Sequence, residues 1–219
     1  MLLFIGKYIE LPSIYNNTSD MTKQKEKVIK LAKKIGIIRP RDILKQGIAA
    51  EYLKRLTREG VLEKRGRGLY ILKGTSLGEH YSTALVAKQV PEGVLCLLSA
   101  LAFHGLTTQS PHEVWIALDN KSWQPKVDTV SLRLIRYSGK SFSHGVEKHI
   151  IGGVPLKVYC IPKTIADCFK FRNKIGLDVA IEALREGYRL KKCTIDQVWY
   201  FSKMCRVTRI IQPYMEMLE

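Results

Sequence analysis

No stretch of this sequence reaches the roughly 20 consecutive apolar residues that a membrane-spanning helix needs. The opening Met1-Leu2-Leu3-Phe4-Ile5 stops at Gly6-Lys7, without the basic start or the small-residue cleavage site of a secretory leader. Cysteine is sparse and unpatterned: Cys96, Cys160, Cys168, Cys193 and Cys205 form an odd set, spread singly, with no C-x-x-C. That argues against a disulfide framework and against a zinc knuckle. The expectation is a cytoplasmic protein with reduced thiols, most of them in a core, and with no membrane partner. Acidic residues are also scarce, 20 Asp and Glu against 36 Lys and Arg. What is present, 46% hydrophobic and 26% charged residues over 219 positions, suffices for one or two packed domains and is too apolar for disorder.

The formal net charge of +16 points to a polyanionic partner, and its distribution sharpens the point. Residues 21–75 carry 16 basic and 5 acidic side chains, residues 76–219 carry 19 and 13, and residues 1–20 carry one and two. About two thirds of the excess therefore sits in one quarter of the chain. A solubilising surface would spread its charge; concentration in one small segment favours nucleic acid.

The chain punctuates itself into an N-terminal extension (1–20), a basic module (21–75) and a larger second part (76–219). The extension ends in the polar run Asn16-Asn17-Thr18-Ser19-Asp20. Helical spacing of Val28, Leu31, Ala32 and Ile35 predicts a first amphipathic helix, from about Lys23 to a stop at Gly36. Pro40 suits the first turn of a second helix, Arg41 to Gln46, and Gly47 separates it from a third, Ile48 to Glu59. Two strands, Val61–Arg65 and Leu69–Leu72, flank the turn Gly66-Arg67-Gly68. Three helices and a basic hairpin are the order of a winged helix-turn-helix, whose third helix enters the major groove while the wing reaches a neighbouring groove or the backbone. With Ile48, Tyr52, Leu53 and Leu56 inward, helix three is left with Ala50, Glu51, Lys54, Arg55 and Arg58 to face DNA; the wing offers Lys64, Arg65 and Arg67. The small Ala49-Ala50 pair permits close approach to base edges, and the later cations suit phosphates.

The second part alternates helices and strands. Leu77–Gln89 reads as a helix, and the apolar stretch Val94–Gly105 contains a segment that opens on Ser99 as an N-capping serine. Strand candidates are Glu113–Leu118, Leu132–Tyr137, Val146–Ile151 and Val154–Tyr159, the last two joined by Gly152-Gly153 as a hairpin. Helical stretches follow at Pro162–Arg172, Leu177–Arg189, Thr194–Cys205 and from Val207 onward. The expected class is α+β: a winged helix followed by a larger domain with a small, mainly antiparallel sheet and several helices.

Signs of catalysis are missing. A metal-dependent nuclease needs carboxylates converging on a cation, often with a lysine two residues beyond an acid on one strand, and no strand candidate has that spacing. Asp167 with Lys170 falls on a predicted helix and reads as structural. His80, His104, His112, His144 and His149 show no metal-ligand spacing, Ser99 and Cys168 lack a nucleophile-elbow frame, and Gly66-Arg67-Gly68 is no dinucleotide fingerprint because position 71 is Ile. No enzyme activity, cofactor or metal is expected, and a nuclease survives only if folding gathers distant acids. His104, among apolar neighbours, reads as a satisfied histidine at a helix end. Lys163, Lys170, Arg172 and Lys174 form a candidate second basic face, either solvated or a further phosphate track.

The run from Gly47 through Tyr70, GIAAEYLKRLTREGVLEKRGRGLY, resembles the winged-helix domain of the AbiEi antitoxin family. Ser99-Ala100-Leu101 with His104-Gly105-Leu106, and Lys163-Thr164-Ile165-Ala166-Asp167-Cys168-Phe169, are similar to signature stretches of that family's C-terminal domain. The resemblance covers about Met21 to Glu219, in the family's order. It implies an antitoxin of a type IV toxin-antitoxin system, associated with abortive phage infection. Such a protein represses its own operon by binding promoter DNA at repeated sites. Its C-terminal domain counteracts a nucleotidyltransferase-like toxin, with or without direct contact. The alternative is a winged-helix transcriptional regulator whose second domain senses a ligand or oligomerises.

Overall fold

The computed structural model describes residues 16–75 and 78–218, with side chains from residue 20 onward. Most of the expected extension, and the boundary at Ser76 and Leu77, lie outside the described residues. Asn16 to Asp20, expected as a polar break, instead forms the first turn of helix α1 (Asn16–Ile35). Val28 and Ala32 give this helix its buried stripe, and Lys33 and Lys34 sit in the last turn, where positive charge complements the carbonyl end of the helix dipole. Helix α2 (Pro40–Leu44) starts on a proline, whose missing N–H costs nothing in a first turn, and the Arg39 N–H donates to Asp42 Oδ2 at 2.8 Å. Helix α3 (Glu51–Arg58) buries Leu53 and Leu56. Strands β1 (Leu62–Gly66) and β2 (Leu69–Leu72) pair antiparallel, with a bulge between Lys64 and Gly66. The winged-helix order read from the sequence is present.

Strand β2 does not alternate between buried and exposed positions. Tyr70 faces a core of Val28, Ala32, Ile38, Ile43, Ile48, Leu53, Leu56 and Leu62, all buried within the module. Leu69 and Ile71 point the other way, and with Ile37 they pack into a cluster with Ala84, Leu85, Val86, Ile116, Leu118 and Val158 of the second part. Both faces of the strand are covered, which explains its continuous apolar run. At about 1.5–3 kcal/mol for each large apolar side chain fully removed from water, this shared layer is a substantial clamp between module and second part.

The second part begins with a short 3-10 turn, Gly78–His80, and helix α4 (Tyr81–Gln89). A five-stranded sheet follows, in the order β5-β4-β3-β7-β6, built from β3 (Val94–Leu95), β4 (Val114–Asp119), β5 (Leu132–Tyr137), β6 (Val146–Ile151) and β7 (Val154–Tyr159). The mixed α and β class holds. The pairings themselves divide evenly, β3–β4 and β6–β7 antiparallel, β3–β7 and β4–β5 parallel, rather than mainly antiparallel. The even division follows from β3, two residues hidden at the head of an apolar run, which enters the centre of the sheet. Along β4, Trp115 and Ala117 face one core while Val114, Ile116 and Leu118 face the other, so the sheet is covered on both sides. One side carries α4 and the wing strand; the other carries α7 (Ile161–Lys170), α9 (Leu177–Arg189), α10 (Ile195–Cys205) and α11 (Thr208–Glu216). Helix α5 (Leu97–His104) contributes to both, and four-residue turns α6 (Lys140–Ser143) and α8 (Arg172–Ile175) complete the elements.

Ser99 is not a helix cap. Cys96 holds that position, and Ser99 lies inside α5, buried, with its hydroxyl accepting the Trp115 N–H at 2.9 Å. It ties the helix to β4, a polar duty that resembles capping in sequence. The Gly152-Gly153 hairpin turn also does more than reverse the chain. A Cβ on Gly36, the αL residue after α1, would lie 1.8 Å from the Gly152 carbonyl oxygen, and one on Gly153 would lie 2.4 Å from the Lys34 carbonyl oxygen. Backbone meets backbone there, and only glycine allows it.

Candidate nucleic-acid interface

The expected DNA-facing residues divide into free and engaged groups. On α3, Glu51, Lys54 and Arg58 are exposed, and Ala50 is half-buried at the N-cap beside an exposed Ala49. Arg55 is half-buried: its guanidinium lies 5.8 Å from the centre of the Tyr52 ring, and Nη1 donates to Met21 Sδ at 3.6 Å. The Arg55 side chain thus runs along Tyr52 and Met21 and leaves its head at their edge. On the wing, Lys64, Arg65 and Arg67 are all exposed, the first and last without an ion pair among the described residues. Arg65 pairs with Glu63 at 2.5 Å and lies 5.9 Å from the Tyr81 ring centre, which turns it toward its own strand and the second part. Gly66, at φ +149, is fixed rather than loose: an added Cβ would meet Thr129 Cγ2 at 2.0 Å. Gln89 Nε2 in turn donates to Thr129 Oγ1 at 2.6 Å. The wing is held by the loop between β4 and β5 as well as by its own turn.

The candidate second basic face does not assemble as expected. Lys163 has no exposed surface; it pairs with Asp167 four residues on, and its ammonium lies 4.3 Å from the Tyr159 ring centre and 4.9 Å from that of Tyr137. Asp167 also accepts from Cys205 Sγ at 3.2 Å. The partner of Asp167 is therefore Lys163, not Lys170, and Lys163 leaves the basic face because desolvation is offset by this pair and by two aromatic faces. Arg172 is half-buried and donates from Nη1 to the Phe169 carbonyl at 3.0 Å. Lys170 and Lys174 remain exposed, each 5.7 Å from the Phe171 ring centre. Burial raises the thiols of Cys96, Cys160 and Cys168 above their usual range, Cys193 to about 11 and Cys205 to about 12. His104 closes α5 and donates from Nε2 to the Tyr159 carbonyl at 2.8 Å, and burial lowers its pKa. Among the described residues no three His, Cys, Asp or Glu side chains gather as a metal set, and no helix is long and apolar enough to cross a membrane.

A basic cluster that the sequence did not reveal lies where the module meets the sheet. A cleft of about 410 Å³ is lined by Arg39, Arg41 and Asp42 around the start of α2, by Lys88 and Ala87 of α4, and by Lys148, Val154, Pro155, Leu156 and Lys157 of the β6–β7 hairpin. Asp42 Oδ2 takes the Lys88 ammonium at 2.9 Å and the Arg39 N–H. The cations come from three segments up to 118 positions apart, and only the Lys148–Lys157 cross-strand register, set by the Gly152-Gly153 turn, was open to sequence reasoning.

Residues 26–73, which span the second half of α1, helices α2 and α3, and the wing, match the family model described as a transcriptional regulator, AbiEi antitoxin. No curated protein matches the chain.

Proposed function

We propose that the chain, whose residues 26–73 match the model of the AbiEi antitoxin transcriptional regulators, binds duplex DNA upstream of its own operon, at repeated sites, and represses it. The observation that carries this reading is the exposed cationic set of the matched module: Lys54 and Arg58 on α3 with Lys64 and Arg67 on the wing. Among the described residues none of the four is in an ion pair. Glu51 and the small Ala49-Ala50 start of α3 leave room for base edges, while Arg55 and Arg65 act from the margins. The test is binding of the full chain to the operon's upstream duplex against a scrambled duplex of equal length. Preference for the upstream duplex supports the proposal; equal affinity overturns it.

We further propose that the second part, residues 76–219, counteracts a nucleotidyltransferase-like toxin in the cytoplasm, without catalysis of its own. Lys170 and Lys174 are the exposed cations left from the expected basic face, and they are the residues to reverse first. Co-expression with the product of the neighbouring gene tests this: rescue of growth supports antitoxin action, and its absence in a stably folded protein overturns it.

A further inference from the structure

We propose that the cleft between the winged-helix module and the β6–β7 hairpin is a binding site for a small phosphate-bearing ligand, of the nucleotide class. Five cations, Arg39, Arg41, Lys88, Lys148 and Lys157, line it with one carboxylate, Asp42, which is already engaged by Lys88. Among the described residues the other four cations have no ion-pair partner. Two details mark the cluster as unbalanced. Lys148 and Lys157 are directly opposed across β6 and β7, an arrangement that repels unless something negative sits over it. Arg39 Nε is shut away from solvent without an acceptor, a state that burial normally forbids. An anion between module and hairpin answers both.

The shape favours a nucleotide over a bare anion. The volume falls in the range of small-molecule sites, which concentrate at junctions between domains. Cations supply the charge-assisted bonds that phosphate oxygens accept, and the exposed rings of Pro91 and Pro155 in the lining offer an apolar surface for a flat base. The same phosphate chemistry is present in a DNA backbone, and the experiment separates the two sources.

Calorimetric titration of the full chain with pyrophosphate, with ATP and with the upstream duplex is compared between wild type and a Lys148→Gln, Lys157→Gln variant. Both positions are outside the proposed DNA set, and thermal unfolding checks the fold; Lys148→Gln alone, at an exposed position, serves if the pair destabilises. Expected are saturable binding of pyrophosphate and tighter binding of ATP. In the variant, which lacks two cations, both should weaken by about tenfold or more, the loss of at least one charge-assisted contact, with duplex affinity unchanged. Absence of saturable ATP and pyrophosphate binding, or wild-type binding by the variant, overturns the proposal. A variant that loses duplex affinity while ATP binds neither protein also overturns it, and makes the cleft part of a DNA track.

Discussion

Lys163 and Asp167 show what one residue's environment adds to its type. Their i, i+4 spacing on α7 is present in the sequence, but Lys and Asp are almost never fully buried, and from sequence alone Asp167 reads with Lys170 while Lys163 falls on a basic face. What hides them is Tyr137 and Tyr159, from strands that only the fold brings alongside. Removing one partner leaves a buried charge uncompensated: Lys163→Ala should cost about 3–5 kcal/mol in urea unfolding, whereas Lys163→Met with Asp167→Leu should cost clearly less. Near-equal losses would show that packing, not charge, sets the penalty. The thiols give a second expectation. With all five raised by burial, native protein should react slowly with a thiol reagent at pH 8, and all five should react at once in denaturant. His104 gives a third. Its pKa is lowered in the fold from 6.5, so the unfolded chain takes up a proton first as pH falls. Its contribution to stability is intact above about pH 6.5 and is lost below it, until the folded ring also protonates. The drop in urea midpoint between pH 7 and pH 6 should therefore be smaller in His104→Gln; an equal drop would assign it to other groups.

Elements were legible where turn residues bracketed a clear period. Strands β5, β6 and β7 and helix α9 fall where their patterns predicted, each bounded by Gly, Ser or a charged break. Strand β3 was not legible, because Val94 to Leu101 reads as one apolar run and a two-residue strand has no period to detect. The wing illustrates both cases. Its strands and its Gly66-Arg67-Gly68 turn follow from the sequence, but its attachment to Thr129 does not. Gly66→Ala should therefore cost about 1–3 kcal/mol, through a strained positive φ and a collision with Thr129, and should weaken DNA binding by displacing the wing. Unchanged stability would mean that the wing is free of the β4–β5 loop. Arg67→Ala, which touches no core, should weaken DNA binding at unchanged unfolding midpoint. Arg55→Ala should affect both, since Arg55 also packs on Tyr52 and Met21.

At the scale of the whole molecule, the module and the second part share a buried layer, yet their proposed tasks use different surfaces. Leu69 and Ile71 seat the wing strand on the sheet, while Lys54, Arg58, Lys64 and Arg67 lie on exposed surface of the module. Neutralising those cations removes no apolar contact from the shared layer, so the second part should keep its fold and any activity against a toxin. If the intact protein neutralises about six phosphates, its affinity for DNA should fall by ~10³ between roughly 50 and 200 mM salt, and a phosphate-contacting arginine should lower that slope by about one when replaced. A variant with Arg58→Ala and Arg67→Ala should then lose repression of a promoter fusion while still rescuing cells that express the neighbouring gene. The two readouts must be taken from the same strain with protein levels matched, because loss of the proposed repression would raise expression of both gene products. Loss of rescue at equal abundance and equal unfolding midpoint would show that the cationic face opposes the toxin as well as contacting DNA. Retained repression would show that DNA is held elsewhere, and would direct attention to Lys170 and Lys174 as the remaining exposed cations of the expected basic face.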